Sequence, residues 1–328
     1  MPTRVITTAV LAMAILLPAT GPARAQDPAA YPVRPIRLIV PFPAGGNGDS
    51  LVRPIGTKLA ERWGHQVVID NRGGANTIIG TDLAAKAPPD GYTLLLATQT
   101  SHAINPNVYA KLPFDAARDF APVAPITRYS YTVATHPSVP ATTPAELVAL
   151  AKAKPGTLSY ASTGNGSTGH LAGALFETIA GVKLLHVPYK GSGPASIDLL
   201  AGQVMMSFTG MAIIVPHLKA RRLKVIGICS ERRLPAWPDI PAFGEIGLKG
   251  FEAGTWFGIV SRAGTPPAIV RKLNEAITAA IRTPDVTDRY GTLGFDIYTA
   301  DPDAFGRFIA EDRARTARVV KASNIRLD

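Results

Sequence analysis

The chain has 328 residues, 46% of them hydrophobic and 18% charged, with a formal net charge of +10. That length and apolar content support a large buried core and favour two domains over one. Lys and Arg are dispersed, with no run of five or more basic residues, so the charge speaks against nucleic acid and for a solvated basic surface that steers anions inward.

The first 25 residues, "MPTRVITTAVLAMAILLPATGPARA", combine a basic start at Arg4, an apolar stretch from Val5 to Pro18, and Ala23-Arg24-Ala25. This three-part pattern predicts an export signal cleaved after Ala25, with an uncleaved anchor as the competing reading. The apolar stretch is shorter than the roughly 20 residues that a membrane span needs. Cleavage removes Arg4 and Arg24 and no acids, which takes the net charge from +10 to +8. Cys229 is the chain's one cysteine, so no intramolecular disulfide forms; it lies in the apolar run "LKVIGIC", where a buried structural thiol is expected.

Short β-rich runs then alternate with helical patterns, the signature of an α/β fold with mostly parallel sheets and flanking helices. Strands are predicted at 36–40, 66–70, 92–97, 158–161, 183–187, 204–208, 224–229 and 256–261. Leu51, Val52, Ile55, Leu59 and Trp63 recur at helical spacing in a first helix beginning near Ser50. Thr143-Pro144-Ala145-Glu146 reads as a capping box with proline at the first helical position. Thr265-Pro266 opens a helix with Ile269, Val270, Leu273, Ile277 and Ile281 on its apolar face. The segment "PVAPITRYSYTVATHPSVPATT" reads as an extended connector between lobes, and "GLKGFEAGTWFG" (247–258) as a return passage. Residues 26–130 and 251–328 are then expected to form one discontinuous lobe and 131–250 the other, with a ligand cleft between them.

Three strands run into polar, uncharged loops. "PFPAGGNGDS" (41–50) fails the Walker pattern for want of a lysine and the dinucleotide fingerprint for want of its last glycine. What it offers is a glycine nest at a helix start, suited to an anion, with Asp49 read as the helix N-cap or as a brace for the loop. "STGNGSTG" (162–169) repeats the design with hydroxyls and amides, and Thr98-Gln99-Thr100-Ser101-His102 follows a third strand. None contains Lys or Arg. A multiply charged phosphate would recruit a bidentate arginine, so the pattern favours small carboxylates. Lys190 in "HVPYKGSGPA" is the nearest candidate charge partner, beside Tyr189 as a wall. Neighbouring Ser101 and His102, and Ser167 with His170, are not expected to aim at one another as nucleophile and base, and no G-x-S-x-G elbow or metal-binding histidine spacing is present.

Together, "YPVRPIRLIVPFPAGGNGD", "NRGGANTIIGTDLAAKAPPDGYTLLLAT", "HAINPNVYAKLPFD", "YASTGNGSTGHLAGALF", "VPYKGSGPA" and "GFEAGTWFGIVSRAGTPPAIVRKLN" resemble the periplasmic solute receptors of tripartite tricarboxylate transporters, the Bug family. The resemblance runs over the whole mature chain. It implies a two-lobed, type II periplasmic binding fold that closes on one small carboxylated solute, with no cofactor and no catalysis. It implies a monomer delivering to membrane transporter subunits of that type, or to a sensor kinase in a signalling role; a secreted hydrolase is the remaining alternative. Carried onto this chain, the first loop's contacts fall on Phe42, Ala44, Gly45 and Gly46, and the facing loop's on Ser162, Thr163, Asn165, Ser167 and Thr168. Asp49, Thr98, Ser101, His102, Tyr189 and Thr209 complete the candidate ligand-binding set. Two departures stand out: Thr209-Gly210 occupies the place where many relatives carry Asp or Asn after Phe208, and Gly48 replaces the usual Ser or Thr before Asp49. Both make an amino-acid ligand less expected and a neutral-tailed, more apolar carboxylate more so.

Overall fold

The computed structural model describes residues 28–323, 326 and 327. The predicted signal segment and its cleavage site at Ala25 lie outside the described residues. In chain order the elements are β1 (Ile36–Val40), α1 (Asn47–Trp63), β2 (Val67–Asn71), α2 (Ile78–Ala85), β3 (Thr93–Thr98), α3 (Asn105–Val108), β4 (Phe120–Ser130) and β5 (Thr132–Thr135). There follow α4 (Pro144–Ala153), β6 (Ser159–Ser162), α5 (Thr168–Ala180), β7 (Leu185–Pro188), α6 (Ser192–Leu200), β8 (Met206–Thr209), α7 (Met211–Leu218) and β9 (Lys224–Ile228). The chain ends with β10 (Gly254–Arg262), α8 (Pro267–Ile281), α9 (Pro284–Thr292), β11 (Asp296–Ile297) and α10 (Pro302–Ser323).

The strands form a six-stranded sheet, ordered β11-β4-β10-β3-β1-β2, and a five-stranded one, β7-β6-β8-β5-β9. Both are mixed rather than mostly parallel. Each has a parallel centre, with β1 between β2 and β3 and with β6 between β7 and β8, and antiparallel strands added by β4, β10 and β11 or by β5. The antiparallel strands include the segments that pass between the sheets. What reads as an extended connector in the sequence is β4 of one sheet and β5 of the other, parted by Tyr131 alone. The return passage lies against it: the Tyr131 N–H donates to the Ala253 carbonyl at 2.8 Å, and the Ala253 N–H to that of Cys229 at 3.1 Å.

The apolar runs of β1 and β3 are continuous because both faces of their sheet are covered. Ile36, Leu38, Val40, Leu94 and Leu96 join a core that continues through Tyr129, Tyr131 and Val133 to Phe176, Phe208, Phe243 and Phe251 beside the second sheet. Ile39, Leu95 and Ala97 turn the other way, onto Trp256, Phe305 and Ile309. In α1, Leu51, Val52, Ile55 and Leu59 are buried as their spacing predicts. Thr143 caps α4 by accepting the Glu146 N–H at 3.2 Å, while Glu146 Oε2 reaches back one residue further than in a capping box, to the Thr142 N–H. Thr265 does not cap α8; Pro266 holds that position and Thr265 Oγ1 turns back to the Arg262 carbonyl. Cys229 is buried, and burial pushes its thiol well above the usual range. Among the described residues no helix is long and apolar enough to cross a membrane.

Candidate functional site

Two parallel centres facing one another bring several strand ends and helix starts to one place. A cavity of about 260 Å³ lies there, and its lining includes the loop after β1, the ends of β3, β6 and β8 and the starts of α1, α5 and α6. None of the residues lining it is Asp, Glu, Lys, Arg or His. Its polar side chains are hydroxyls and the Asn47 amide, beside main-chain groups of the loops; its apolar and aromatic walls include Phe42, Phe257, Tyr129, Tyr131, Leu199, Phe208, Ile213 and Ile214.

The first turn of a helix leaves its N–H groups without intrahelical partners. α1 begins at Asn47, earlier than its apolar spacing suggests, with Gly46 as an N-cap that has no side-chain hydrogen bond. Asp49 is therefore not the cap. It sits in the first turn, where its Oδ2 accepts the Gly45 N–H at 3.2 Å while Arg53 grips it with Nε and Nη2 at 2.7 and 2.9 Å. Burial would raise this carboxyl, but the hydrogen bonds from Arg53 and Gly45 outweigh burial and hold it below the usual range. α5 is capped by Ser167, whose Oγ accepts the His170 N–H at 3.3 Å. α6 follows Gly191, at φ 113°, again without a side-chain cap. Tyr131 OH and Thr168 Oγ1 are hydrogen-bonded to one another across the cavity wall, and Asn47 Nδ2 donates to Tyr129 OH at 3.0 Å.

Nine candidates line the cavity: Phe42, Ala44, Gly45, Gly46, Thr98, Ser162, Thr163, Thr168 and Thr209. Six do not. Asp49 is turned to Arg53, Ser167 is spent on its cap, and Asn165 is exposed outside the lining. Tyr189 donates to Asp198 at 2.7 Å, and its neighbour Lys190 is exposed and also absent from the wall. Ser101 and His102 do aim at one another, contrary to the sequence reading: Ser101 Oγ and His102 Nδ1 are 2.8 Å apart, because a tight turn over Thr100–Ile104 folds them together. Both are buried away from the cavity, and burial, with Arg313 beside it, pushes His102 down to about 3.

Sequence reasoning missed α6. Its Ser192, Gly193 and Ser196 line the cavity, and the signal was present in a strand, a glycine loop and a helix in succession, the same design as the first loop. It also missed Tyr129, Thr255 and Phe257 on the crossing strands and Tyr131 between β4 and β5. A further pair lies behind the second loop: Ser162 Oγ stands 2.6 Å from His186 Nε2, and His186 stacks on His170 with centroids 4.1 Å apart. Burial and the neighbouring His170 push His186 down to about 4, which makes it a weak base. Gly48 has a packing reason: a β-carbon there would come within 2.9 Å of Leu96 Cδ2 and 3.2 Å of Phe42. Among the described residues no cluster of His, Cys, Asp and Glu could hold a metal ion.

Residues 51–325 match the model of the tripartite tricarboxylate transporter family receptor. The chain belongs to that receptor family. Among solved structures it resembles Rpa4515 of R. palustris with adipate, at 35% identity and TM-score 0.87, covering 90% of this chain and 99% of that one. The periplasmic binding protein BugD is 31% identical at TM-score 0.84, over 90% of this chain and 99% of its own. MatC from Rhodopseudomonas palustris with bound malate is 31% identical at TM-score 0.82, over 88% and 100%. The fold is thus that of the Bug-type periplasmic receptors, and the resemblance seen in the motifs holds over the domain as a whole.

Proposed function

We propose that the mature chain is a periplasmic receptor that captures a small carboxylate between its two sheets and delivers it to membrane subunits of a tripartite tricarboxylate transporter, without chemical turnover. One observation carries the reading. The cavity has no charged side chain in its lining, yet the starts of α1, α5 and α6 meet there. Oriented main-chain N–H groups and helix dipoles hold an anion without a counter-ion, and the apolar walls suit the chain of the ligand. Structural relatives solved with adipate and malate support a carboxylate. Thr209, neutral at the end of β8, supports a ligand whose far end is not an ammonium group.

In this reading residues 26–130 and 251–328 form one lobe and 131–250 the other, which agrees with the membership of the two sheets, and export ends with cleavage after Ala25. A depressed His186 with no carboxylate hydrogen-bonded to it among the described residues speaks against a hydrolase. A thermal-shift screen of mono-, di- and tricarboxylates tests the proposal, since a ligand at a hundred times its Kd adds about 2.7 kcal/mol of stability. No shift with any carboxylate, together with turnover of an ester, would replace the receptor by an enzyme.

A further inference from the structure

Asp49 presents an electrostatic problem for any anion site. Its side chain is 8% exposed and its carboxylate lies directly behind the loop that lines the cavity, one hydrogen bond from Gly45. A negative charge there opposes an anion on the other side of the same loop. The cavity lining has no cation to offset it, only hydroxyls, an amide and main-chain groups.

The offset comes from outside. Arg53, one turn along α1 and 54% exposed, pairs both Asp49 oxygens in a fork. The other groups that bear on Asp49 are neutral: the Gly45 N–H and the side chain of Asn71 on β2. The charges nearby on β2 are already committed, Asp70 pairing with both Arg37 and Arg72. Arg53 is therefore what neutralises Asp49 while Asp49 holds Gly45 at its φ of +82°.

We infer that Arg53 is a positioning residue of the anion site. It never enters the cavity, and it sets carboxylate affinity by cancelling Asp49 and fixing the Gly45 loop. The inference rests on the receptor reading above. A unit charge several ångströms away, partly screened by solvent, alters affinity by about tenfold.

The test uses the mature chain and adipate as the probe, with calorimetry at pH 7.5. Arg53→Gln is expected to bind adipate about tenfold more weakly than wild type at pH 7.5. Arg53→Lys restores part of the affinity, having the charge without the fork. The double variant Asp49→Asn with Arg53→Gln returns close to wild type, since asparagine still accepts the Gly45 N–H. Equal binding by Arg53→Gln, or a double variant as weak as Arg53→Gln alone, would overturn the inference and leave the receptor reading standing. A wild-type chain that binds neither adipate nor any other carboxylate overturns both.

Discussion

Ser192 Oγ lies 3.3 Å from the point where a β-carbon on Gly46 would sit, although Gly46 caps α1 beside one sheet and Ser192 opens α6 beside the other. Two helix starts thus approach one another across the cavity with no room to spare. Gly46 has φ −88°, ordinary extended backbone, so its glycine is required for space rather than conformation. Gly46→Val is expected to fold normally, since any residue adopts that backbone. Its branched side chain should hold the helix starts apart and weaken carboxylate binding about tenfold to a hundredfold by calorimetry, a loss of roughly 1.4 to 2.8 kcal/mol. Normal binding would show that the helix starts need not meet.

Gly45 differs. Its φ is +82° and nothing lies within 4 Å of an added β-carbon. Gly45→Ala should meet no obstruction and instead pay for the left-handed conformation, about 1–2 kcal/mol. Thermal melting of the unliganded chain reads that loss directly, and an unchanged melting temperature would mean that the loop relaxes out of the left-handed region.

The contrast shows which parts of the site were legible in sequence. The loops at 41–50 and 162–169 announce themselves, because glycines and hydroxyls between a strand and a helix leave a mark that does not depend on the rest of the fold. The start of α6 carries the same mark, but Lys190 and Tyr189 beside it point to charge and aromatic surface, whereas the cavity is lined by Gly191, Ser192 and Gly193. Tyr129, Tyr131, Thr255 and Phe257 were not legible as lining. Alternate residues of a strand face opposite sides, and which side faces the ligand depends on how the two crossing strands pair. The mixed character of the sheets has the same origin, since the sequence marks a crossing without giving its direction relative to its neighbours.

Three buried or half-buried histidines are expected to lower stability in acid. Burial pushes His102 down to about 3, burial and His170 push His186 down to about 4, and burial lowers His170 as well, all from an ordinary value of 6.5. The unfolded chain therefore binds more protons than the folded one below pH 6.5. The stability held above that pH is lost progressively as the pH falls towards these folded-state values, by up to about 1.4 kcal/mol per pH unit for each histidine. The melting temperature is expected to fall steadily from pH 7 to pH 4, and His186→Asn to reduce the slope. A flat profile over that range would mean that these rings accept protons in place.

A second cavity, of about 570 Å³, lies largely behind the crossing strands, lined by Arg128 and Ser130 of β4, Gly254 and Trp256 of β10, Leu175 of α5 and Val319 of α10. Phe257 of the same strands lines the first cavity alone, while Tyr129 and Thr255 border both. If those strands act as a hinge, opening the front narrows the back. Leu175→Trp, which fills the rear, should hold the front closed, tighten carboxylate binding several-fold and reduce the radius of gyration of the unliganded chain in small-angle scattering. Weaker binding with an unchanged radius would mean that the strands do not act as a hinge.

The position of the bound carboxylate tests the central claim most directly. In a crystal structure of the mature chain with the carboxylate that gives the largest thermal shift, its oxygens should lie within hydrogen-bonding distance of N–H groups at the start of α1 and of Ser162 or Thr168, with no Lys or Arg side chain touching them. A carboxylate paired instead with Arg128 or Arg315 in the rear cavity would contradict the claim that helix starts and hydroxyls, rather than charged side chains, hold the ligand.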